Sequence, residues 1–191
     1  MIPNPPPQID IRRPWRAGET IFLLGPGGVG KSTLGRVLAD RLNWPLIDLD
    51  LQFCERIAEI GRFIRETSYA EYRAENLLLA QRLVARTEGP LVFVTASGFL
   101  AAEVESNDYA EARALVDTGY GITLLPSLDI DQATELVVER QLTRGFELER
   151  ESETYKFRQR FGRYRGEGDM LVVSAAPAED VAKAVQAALT A

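Results

Sequence analysis

A glycine-rich segment between an apolar run and a helical pattern constrains the fold of this 191-residue chain more than any other feature. Residues 20–24 (Thr-Ile-Phe-Leu-Leu) are typical of a buried strand, and Leu34, Leu38 and Leu42 recur at helical spacing. Between them lies Gly25-Pro-Gly-Gly-Val-Gly-Lys-Ser32, which fits the pattern G-x-x-x-x-G-K-[ST]. Its glycines let consecutive N–H groups point at phosphate oxygens, and the following helix adds its positive end. The sequence therefore predicts a phosphate-binding loop (P-loop) within an α/β fold.

The chemical groups of this loop match the parts of a nucleoside triphosphate. Lys31 is expected to reach the β- and γ-phosphates, the Ser32 hydroxyl to ligate Mg²⁺, and Thr33 to contact the α-phosphate. A guanine-reading N-K-x-D motif does not occur in the sequence, so we do not expect a GTPase. The residues expected to bind the nucleotide are Gly25, Gly27, Gly28, Val29, Gly30, Lys31, Ser32 and Thr33.

Short apolar runs alternate with helical patterns along the rest of the chain. After residues 20–24, the strand candidates are 46–47, 91–94, 122–125 and 171–173. Five buried strands separated by helices indicate a three-layer α/β/α fold with a five-stranded parallel sheet. The first 18 residues carry five prolines and are expected to form an extended or disordered extension without a function of its own. Trp15 is a candidate to dock onto the single domain expected over residues 19–191.

Composition removes several classes of chemistry. The chain has no histidine, so it cannot use a His-containing catalytic triad, a His-ligated zinc or an imidazole base. A single cysteine forms no intrachain disulfide, and no secretion signal is evident, so we expect a cytoplasmic protein. With 28 acidic and 22 basic side chains, the net charge of −6 argues against a general nucleic-acid or membrane binder.

Two carboxylates follow the second apolar run, in Leu46-Ile47-Asp48-Leu49-Asp50. Alternation along a strand would place Asp48 and Asp50 on the same side at its end. One carboxylate beside Mg²⁺ and one beside a hydroxyl acceptor would suit phosphoryl transfer. The other interpretation is a helix N-cap followed by a first-turn acid, which also favours Asp. A motor-type NTPase is less consistent with the sequence, because the run 91–94 ends in Thr-Ala-Ser-Gly with no acid.

These motifs together resemble the shikimate kinase family over most of residues 20–175. The matching segments are the P-loop, an F-x-D-x-D-like stretch ending at Asp50, an F-R-like Tyr72-Arg73 and a strand-terminal Ala96-Ser97-Gly98. The resemblance implies that the P-loop binds ATP and that Asp48 assists Mg²⁺. It further implies that Asp50 holds the accepting hydroxyl and that Arg73 binds the carboxylate of the substrate.

Two further arginines are implied by weaker local matches. Arg160 occupies the first position of Arg-Phe-Gly-Arg-Tyr-Arg165, which is similar to the family's R-x-P-L-Y-R and implies a second carboxylate contact. Arg144 is similar to the arginine of R-P-L-L, which covers the ATP phosphates from a mobile lid, here expected near residues 142–153. The family's Gly-Gly-Gly is replaced by Ala96, Ser97 and Gly98, which are expected to line a narrower acceptor pocket.

The expected activity is a Mg²⁺- and ATP-dependent transfer of the γ-phosphoryl group to a hydroxyl of shikimate or a related hydroxy acid. Lys31, Asp50 and Arg144 are the expected catalytic residues, and a monomer or weak dimer is expected. Residues 154–165 carry five basic side chains and no acid, which indicates either a solvated helix face or a segment that closes over anions. An RNA-binding surface is a weaker interpretation. The alternatives for the function are another sugar-acid or polyol kinase and a non-catalytic ATP-binding regulator.

Overall fold

A computed structural model describes residues 5–143 and 149–190, in which strands and helices alternate. The elements are, in chain order, β1 (Gln8–Ile11), β2 (Ile21–Leu24), α1 (Lys31–Leu42), β3 (Leu46–Asp48), α2 (Leu49–Arg56), α3 (Ile60–Glu66), α4 (Tyr69–Arg86), β4 (Val92–Val94), α5 (Asn107–Val116), β5 (Tyr120–Leu125), α6 (Ile130–Leu142), α7 (Arg150–Gly166), β6 (Met170–Val173) and α8 (Ala178–Leu189). All five strands predicted from the apolar runs are present.

The strands form one sheet in the order β1-β6-β5-β2-β4-β3. Strands β2 to β6 run parallel, with Ile21 beside both Val92 of β4 and Tyr120 of β5. From β2 the chain runs to β3 and β4 on one side of β2, and then crosses to β5 and β6 on the other side. The carboxyl end of β2 therefore lies where the strand order reverses. Ligands of open α/β sheets bind at this kind of position, and the glycine-rich loop begins there.

Side chains of the central strand alternate between two apolar cores. Ile21 and Leu23 belong to one cluster, together with residues of α1 and α8. Phe22 and Leu24 belong to the other, together with residues of α2, α4 and α5. Both faces of the sheet are thus covered, which explains why the strand sequence is wholly apolar rather than alternating. The predicted three-layer α/β/α architecture is confirmed.

The sheet is one strand wider than the sequence predicts. Strand β1 lies within the proline-containing extension and pairs antiparallel with β6, with Gln8 opposite Val173 and Ile11 opposite Met170. An edge position suits a strand that follows prolines, because one side of it needs no ladder partner. Trp15 packs against Trp44 with ring centroids 6.1 Å apart, so its predicted docking is observed. The extension is therefore part of the domain through β1 and Trp15.

The range in which a mobile lid is expected, residues 142–153, overlaps two helices, and the structure does not confirm a lid. Leu142 ends α6, and Arg150 begins α7, so the outer parts of the predicted range 142–153 are helical. Arg144 lies outside the described residues. Among the helices of residues 5–143 and 149–190, none combines the length and the apolar character needed to span a bilayer.

Candidate functional site

The glycine-rich loop turns sharply at the end of β2, and Gly25 is the residue that permits the turn. Its φ of +139° is a conformation that side chains disfavour, and a Cβ there would lie 2.7 Å from the carbonyl oxygen of Leu124. The close approach to β5 leaves no room for a larger residue. The loop ends at Gly30, the residue that precedes the first turn of α1. The free N–H groups of that turn thus face the loop, as anion binding requires.

Lys31 is held inside this loop. Only 8% of the residue is exposed, and Nζ donates hydrogen bonds to the carbonyl oxygens of Gly25 (2.7 Å) and Pro26 (3.0 Å). The ammonium group is thereby positioned over the loop rather than extended into solvent. A phosphate bound by the loop would meet this charge directly.

One cavity of about 360 Å³ lies beside the loop, on the side of α6 and β6; we call it the Thr33 cavity. Its lining includes Gly28, Val29, Gly30, Thr33, Arg140 and Ser174. Glycines of the loop at one end and apolar side chains such as Val172 and Val181 at the other suit a phosphate and a flat base, respectively. Arg140 was not predicted, because a lone arginine in the last turn of a helix is also typical of an ordinary surface helix.

Asp48 and Asp50 are brought together, but not by a shared strand. Strand β3 ends at Asp48 and helix α2 starts at Leu49, so the prediction that alternation along a strand aligns the two carboxylates is wrong. Asp48 is the N-cap residue and Asp50 lies in the first helical turn, as the other interpretation expected. Yet the Asp48 side chain accepts no capping hydrogen bond, so local structure does not occupy its carboxylate.

The environment of Asp50 combines burial with nearby charges. Burial raises the pKa of Asp50 above its ordinary value, Lys31 opposes this rise, and the Asp48 carboxylate adds to it. The Tyr72 hydroxyl donates a hydrogen bond to Asp50 Oδ1 at 3.3 Å. Burial also raises the pKa of Tyr72, which keeps this phenol a proton donor. Asp50 is therefore a carboxylate with an elevated proton affinity close to the P-loop lysine.

Asp50 faces a second cavity of about 360 Å³, which we call the Asp50 cavity. Its lining includes Gly27, Asp50, Tyr69, Ser97, Gly98 and Arg160. Gly27 brings the P-loop to this cavity, while Gly28 and Gly30 line the Thr33 cavity. The two cavities thus lie on either side of the same loop, which is the arrangement that transfer of a phosphoryl group between two ligands requires.

Arg160 is fixed by neutral hydroxyl groups. Its Nη1 donates to Ser97 Oγ at 3.0 Å, and its Nη2 donates to the Tyr69 hydroxyl oxygen at 3.1 Å. Behind it, the buried Tyr164 hydroxyl donates to the carbonyl oxygen of Ser97, and the Leu100 N–H donates to that hydroxyl, each at 3.2 Å. Helix α7 and the loop after β4 are therefore tied together where Arg160 enters the cavity.

Glycine at the third position of the predicted pocket-lining segment leaves space for the Tyr69 side chain. A Cβ at Gly98 would collide with the Tyr69 hydroxyl, so a larger residue there would displace the end of that side chain. Ser97 and Gly98 line the Asp50 cavity. Ala96 does not: it is 3% exposed, belongs to the apolar core and lines a smaller cavity beside Asn76.

Arg73 is not among the residues that line the Asp50 cavity. Its Nη2 pairs with Asp108 Oδ2. It instead lines an adjoining cavity of about 210 Å³, which we call the Arg163 cavity. The basic side chains of that cavity are Arg73, Lys156, Arg160 and Arg163, and its one acid is Glu103. The two cavities share Tyr69, Gly98, Lys156 and Arg160, so a ligand in one can extend into the other.

The structure also adds residues to the Asp50 cavity that the motifs did not indicate. Gln141, Glu153 and Lys156 line it. Glu153 is 7% exposed, and its Oε1 accepts a hydrogen bond from Lys156 Nζ at 2.8 Å. The excess of basic residues between 154 and 165 was the sequence signal that included Lys156, and it did not indicate the acid.

Ser32 and Asp48 fit the donor chemistry of a Mg²⁺ site. A hydroxyl and a carboxylate supply the hard oxygen ligands that Mg²⁺ prefers, and Mg²⁺ is usually bound by one or two such groups plus substrate phosphates. Ser32 lies in the first turn of α1, directly after Lys31, and Asp48 ends β3 without a capping bond.

Comparisons with known proteins show the family to which the chain belongs. A sequence model of the family described as "Shikimate kinase" matches residues 27–187. The shikimate kinase of Brucella suis is 31% identical over 137 residues, which are 70% of this chain and 62% of that protein. A pentafunctional AROM polypeptide of Clavispora lusitaniae is 27% identical over 126 residues, 66% of this chain. The chain spans only 8% of the length of that relative.

Solved structures of P-loop kinases superpose on most of the chain. Shikimate kinase from Aquifex aeolicus gives a TM-score of 0.68 at 22% identity, covering 90% of this chain and 96% of that one. Shikimate kinase from Acinetobacter baumannii in complex with shikimate gives 0.67 at 21% identity, covering 89% and 92%. A gluconokinase from Sinorhizobium meliloti gives 0.61 at 21% identity, covering 93% and 94%. At these identities the likeness establishes the fold.

Proposed function

The chain belongs to the shikimate kinase family, and we propose that it transfers the γ-phosphoryl group of ATP to a hydroxyl of shikimate or a closely related hydroxy acid. The observation that carries this proposal is the position of Asp50. It faces a cavity of its own, next to Lys31, on the far side of the loop from the Thr33 cavity. A carboxylate with elevated proton affinity at that place suits a group that orients and deprotonates an accepting hydroxyl.

Different residues around the P-loop position the nucleotide and neutralise the charge of its phosphates. Thr33 and Arg140 bind the nucleotide in the Thr33 cavity, and the backbone N–H groups of the loop hold its phosphates. Lys31 exchanges its bonds to loop carbonyls for bonds to the β- and γ-phosphates. Ser32 and Asp48 hold Mg²⁺, which neutralises phosphate charge when bound. Arg144 is proposed to cover the phosphates, as the family resemblance implies.

The acceptor is bound by its two chemically different ends. Asp50 accepts the hydroxyl proton at the end of the Asp50 cavity nearest the P-loop. Arg160 binds the carboxylate where this cavity meets the Arg163 cavity, since it lines both, and Arg73 contributes to the same charge from the adjoining cavity. Ser97 and Gly98 form part of the wall. Holding the acceptor by hydroxyl and carboxylate together places the reacting oxygen in line with the γ-phosphate, and such positioning is the main source of catalysis in phosphoryl transfer.

The test is acceptor-dependent ADP release by the purified protein with Mg²⁺ and ATP, with and without shikimate. We expect shikimate to stimulate ADP release, and we expect Asp50→Asn to lower kcat by about 10²–10⁴-fold, because the base for the hydroxyl is lost. Asp40→Asn is the matched control, since Asp40 is exposed on α1.

Equal rates of ADP release by the Asp50→Asn and unaltered proteins would show that Asp50 has no part in catalysis. A protein that binds ATP and shows no shikimate-stimulated release would contradict the assignment of shikimate, and would favour a non-catalytic ATP-binding role if no other acceptor works.

A related acid is the second candidate acceptor, and Ser97 is the observation that favours it. Ser97 stands where the family motif has glycine, and its hydroxyl contacts Arg160 inside the cavity. An added hydroxymethyl group reduces the space beside the acceptor ring and adds a hydrogen-bonding group. Because gluconokinases share this fold, gluconate belongs in the same assay as shikimate. Faster turnover with gluconate would identify the acceptor as an open-chain sugar acid.

A further inference from the structure

Arg163 has no role in the motifs that define the rest of the site. In the stretch similar to R-x-P-L-Y-R it occupies the position of leucine, so the motif implies no role for its guanidinium group. Resting on the proposed function, we propose that Arg163 is an acceptor-binding residue that forms, together with Arg160, the binding site for the carboxylate of the hydroxy acid.

The first support is the position of Arg163 on α7. Arg160 and Arg163 are three residues apart on one helix, so their side chains lie on neighbouring parts of the same face. Both line the Arg163 cavity, and Arg160 also lines the Asp50 cavity. A carboxylate at the junction of these cavities is therefore within reach of both arginines while its hydroxyl end points toward Asp50.

The second support is the incomplete pairing of Arg163. Its Nη1 is buried and has no hydrogen-bond partner among the residues that the structure describes. Its Nη2 is 3.3 Å from Glu103 Oε2, but the Glu103 side chain is 83% exposed. A pair of this kind contributes little to stability because water competes for both charges. A ligand carboxylate can therefore displace Glu103 from Nη2.

The third support is the balance of charge around the cavity. Arg73 is paired with Asp108 and Lys156 with the buried Glu153. The side-chain hydrogen bonds of Arg160, among the described residues, go to the neutral groups Ser97 and Tyr69. Arg160, whose partners are uncharged, and Arg163, whose partner Glu103 is the most exposed of the paired acids, exchange partners for an anionic ligand most readily, and Arg73 adds charge from the same cavity. Two guanidinium groups match the two oxygens of one carboxylate.

The experiment compares shikimate with its uncharged methyl ester as ligands, in calorimetric titrations with a non-hydrolysable ATP analogue and Mg²⁺ present. We expect the unaltered protein to bind the acid more tightly than the ester. In Arg163→Leu, the dissociation constant of shikimate should rise by about 10- to 100-fold, as expected for loss of a charge-assisted hydrogen bond. That of the ester should change by less than about threefold. Arg163→Gln, which keeps a polar side chain without the charge, should behave like Arg163→Leu and serves if the leucine variant does not fold.

Arg158→Leu is the matched control, because Arg158 lies on the same helix, pairs with Asp131 and lines neither cavity. It should keep the preference of the unaltered protein for the acid. An unchanged preference in both Arg163 variants would overturn the proposal, and so would a failure of the unaltered protein to bind shikimate. Binding that depends on Arg163 without any ADP release would leave the proposal standing and reject the kinase function. Shikimate-stimulated ADP release that the Arg163 variants leave unchanged would support the kinase function and reject the proposed role of Arg163.

Discussion

At the scale of single residues, the raised pKa of Asp50 predicts the acid limb of the pH–rate profile. Burial is the main cause of the rise, and only the ionised carboxylate can accept the hydroxyl proton. Activity should therefore increase with pH through a value above about 3.9, the ordinary pKa of Asp. The profile of kcat/KM measures this, and the limb should be missing from the residual activity of Asp50→Asn. A limb at or below about 3.9 would contradict the burial argument.

The same shift has a consequence for stability, with the opposite sign from that of an ion-paired carboxylate. Because the folded state holds the Asp50 proton to a higher pH than the unfolded state does, unfolding releases a proton in that pH range. The contribution of Asp50 to the free energy of unfolding therefore falls as pH rises from the unfolded pKa through the raised folded pKa. A carboxylate that costs stability when ionised is typical of a group retained for function.

At the scale of elements, the turn after β1 is joined to the rest of the domain through Arg13. Its guanidinium group bonds to Asp169 (2.8 Å), Glu19 (2.9 Å) and the Gly119 carbonyl oxygen (2.8 Å). We expect Arg13→Ala to lower the free energy of unfolding by about 1–3 kcal/mol, since several polar partners lose a bond. Urea denaturation measures this. Arg16→Ala, at an exposed position of the same turn, should change stability by less than about 0.5 kcal/mol. Equal decreases in the free energy of unfolding of the two variants would show that the Arg13 side chain contributes no more to stability than an exposed arginine.

Elements that are wholly apolar because both faces are buried could be predicted from the local sequence. Elements that depend on partners distant in the sequence could not. The run 20–24 predicted β2 because a strand buried on both faces must be wholly apolar. Polar and apolar residues alternate along β1, which follows prolines. Its partner β6 is more than 150 residues away in the sequence, so no local pattern predicts the pairing. The Tyr72-Arg73 motif predicted an acceptor contact, but it could not reveal the pairing of Arg73 with Asp108 on α5. Glu153 escaped prediction because a first-turn acid is usually exposed.

At the scale of the whole molecule, the P-loop contributes glycines to two cavities, Gly28 and Gly30 to one and Gly27 to the other. A non-hydrolysable ATP analogue with Mg²⁺ at 100 times its dissociation constant should stabilise the fold by about 2.7 kcal/mol. For a chain of this size that corresponds to a rise in Tm of about 5–10 °C. Lys31→Met should lose most of the shift, because the phosphates lose their buried cation. Thermal unfolding measures it, with Lys183→Met, exposed on α8, as control. An equal shift in the Lys31→Met and unaltered proteins would contradict this.

The link between α7 and the loop after β4 constrains how this site can change during evolution. Ser97 accepts hydrogen bonds through its side chain from Arg160 and through its carbonyl oxygen from Tyr164. Replacing Ser97 by the glycine of the family motif keeps the second bond and removes the first. The effect of that replacement therefore depends on which residues already surround position 160. We therefore expect substitutions at positions 97, 160 and 164 to have non-additive effects on acceptor binding.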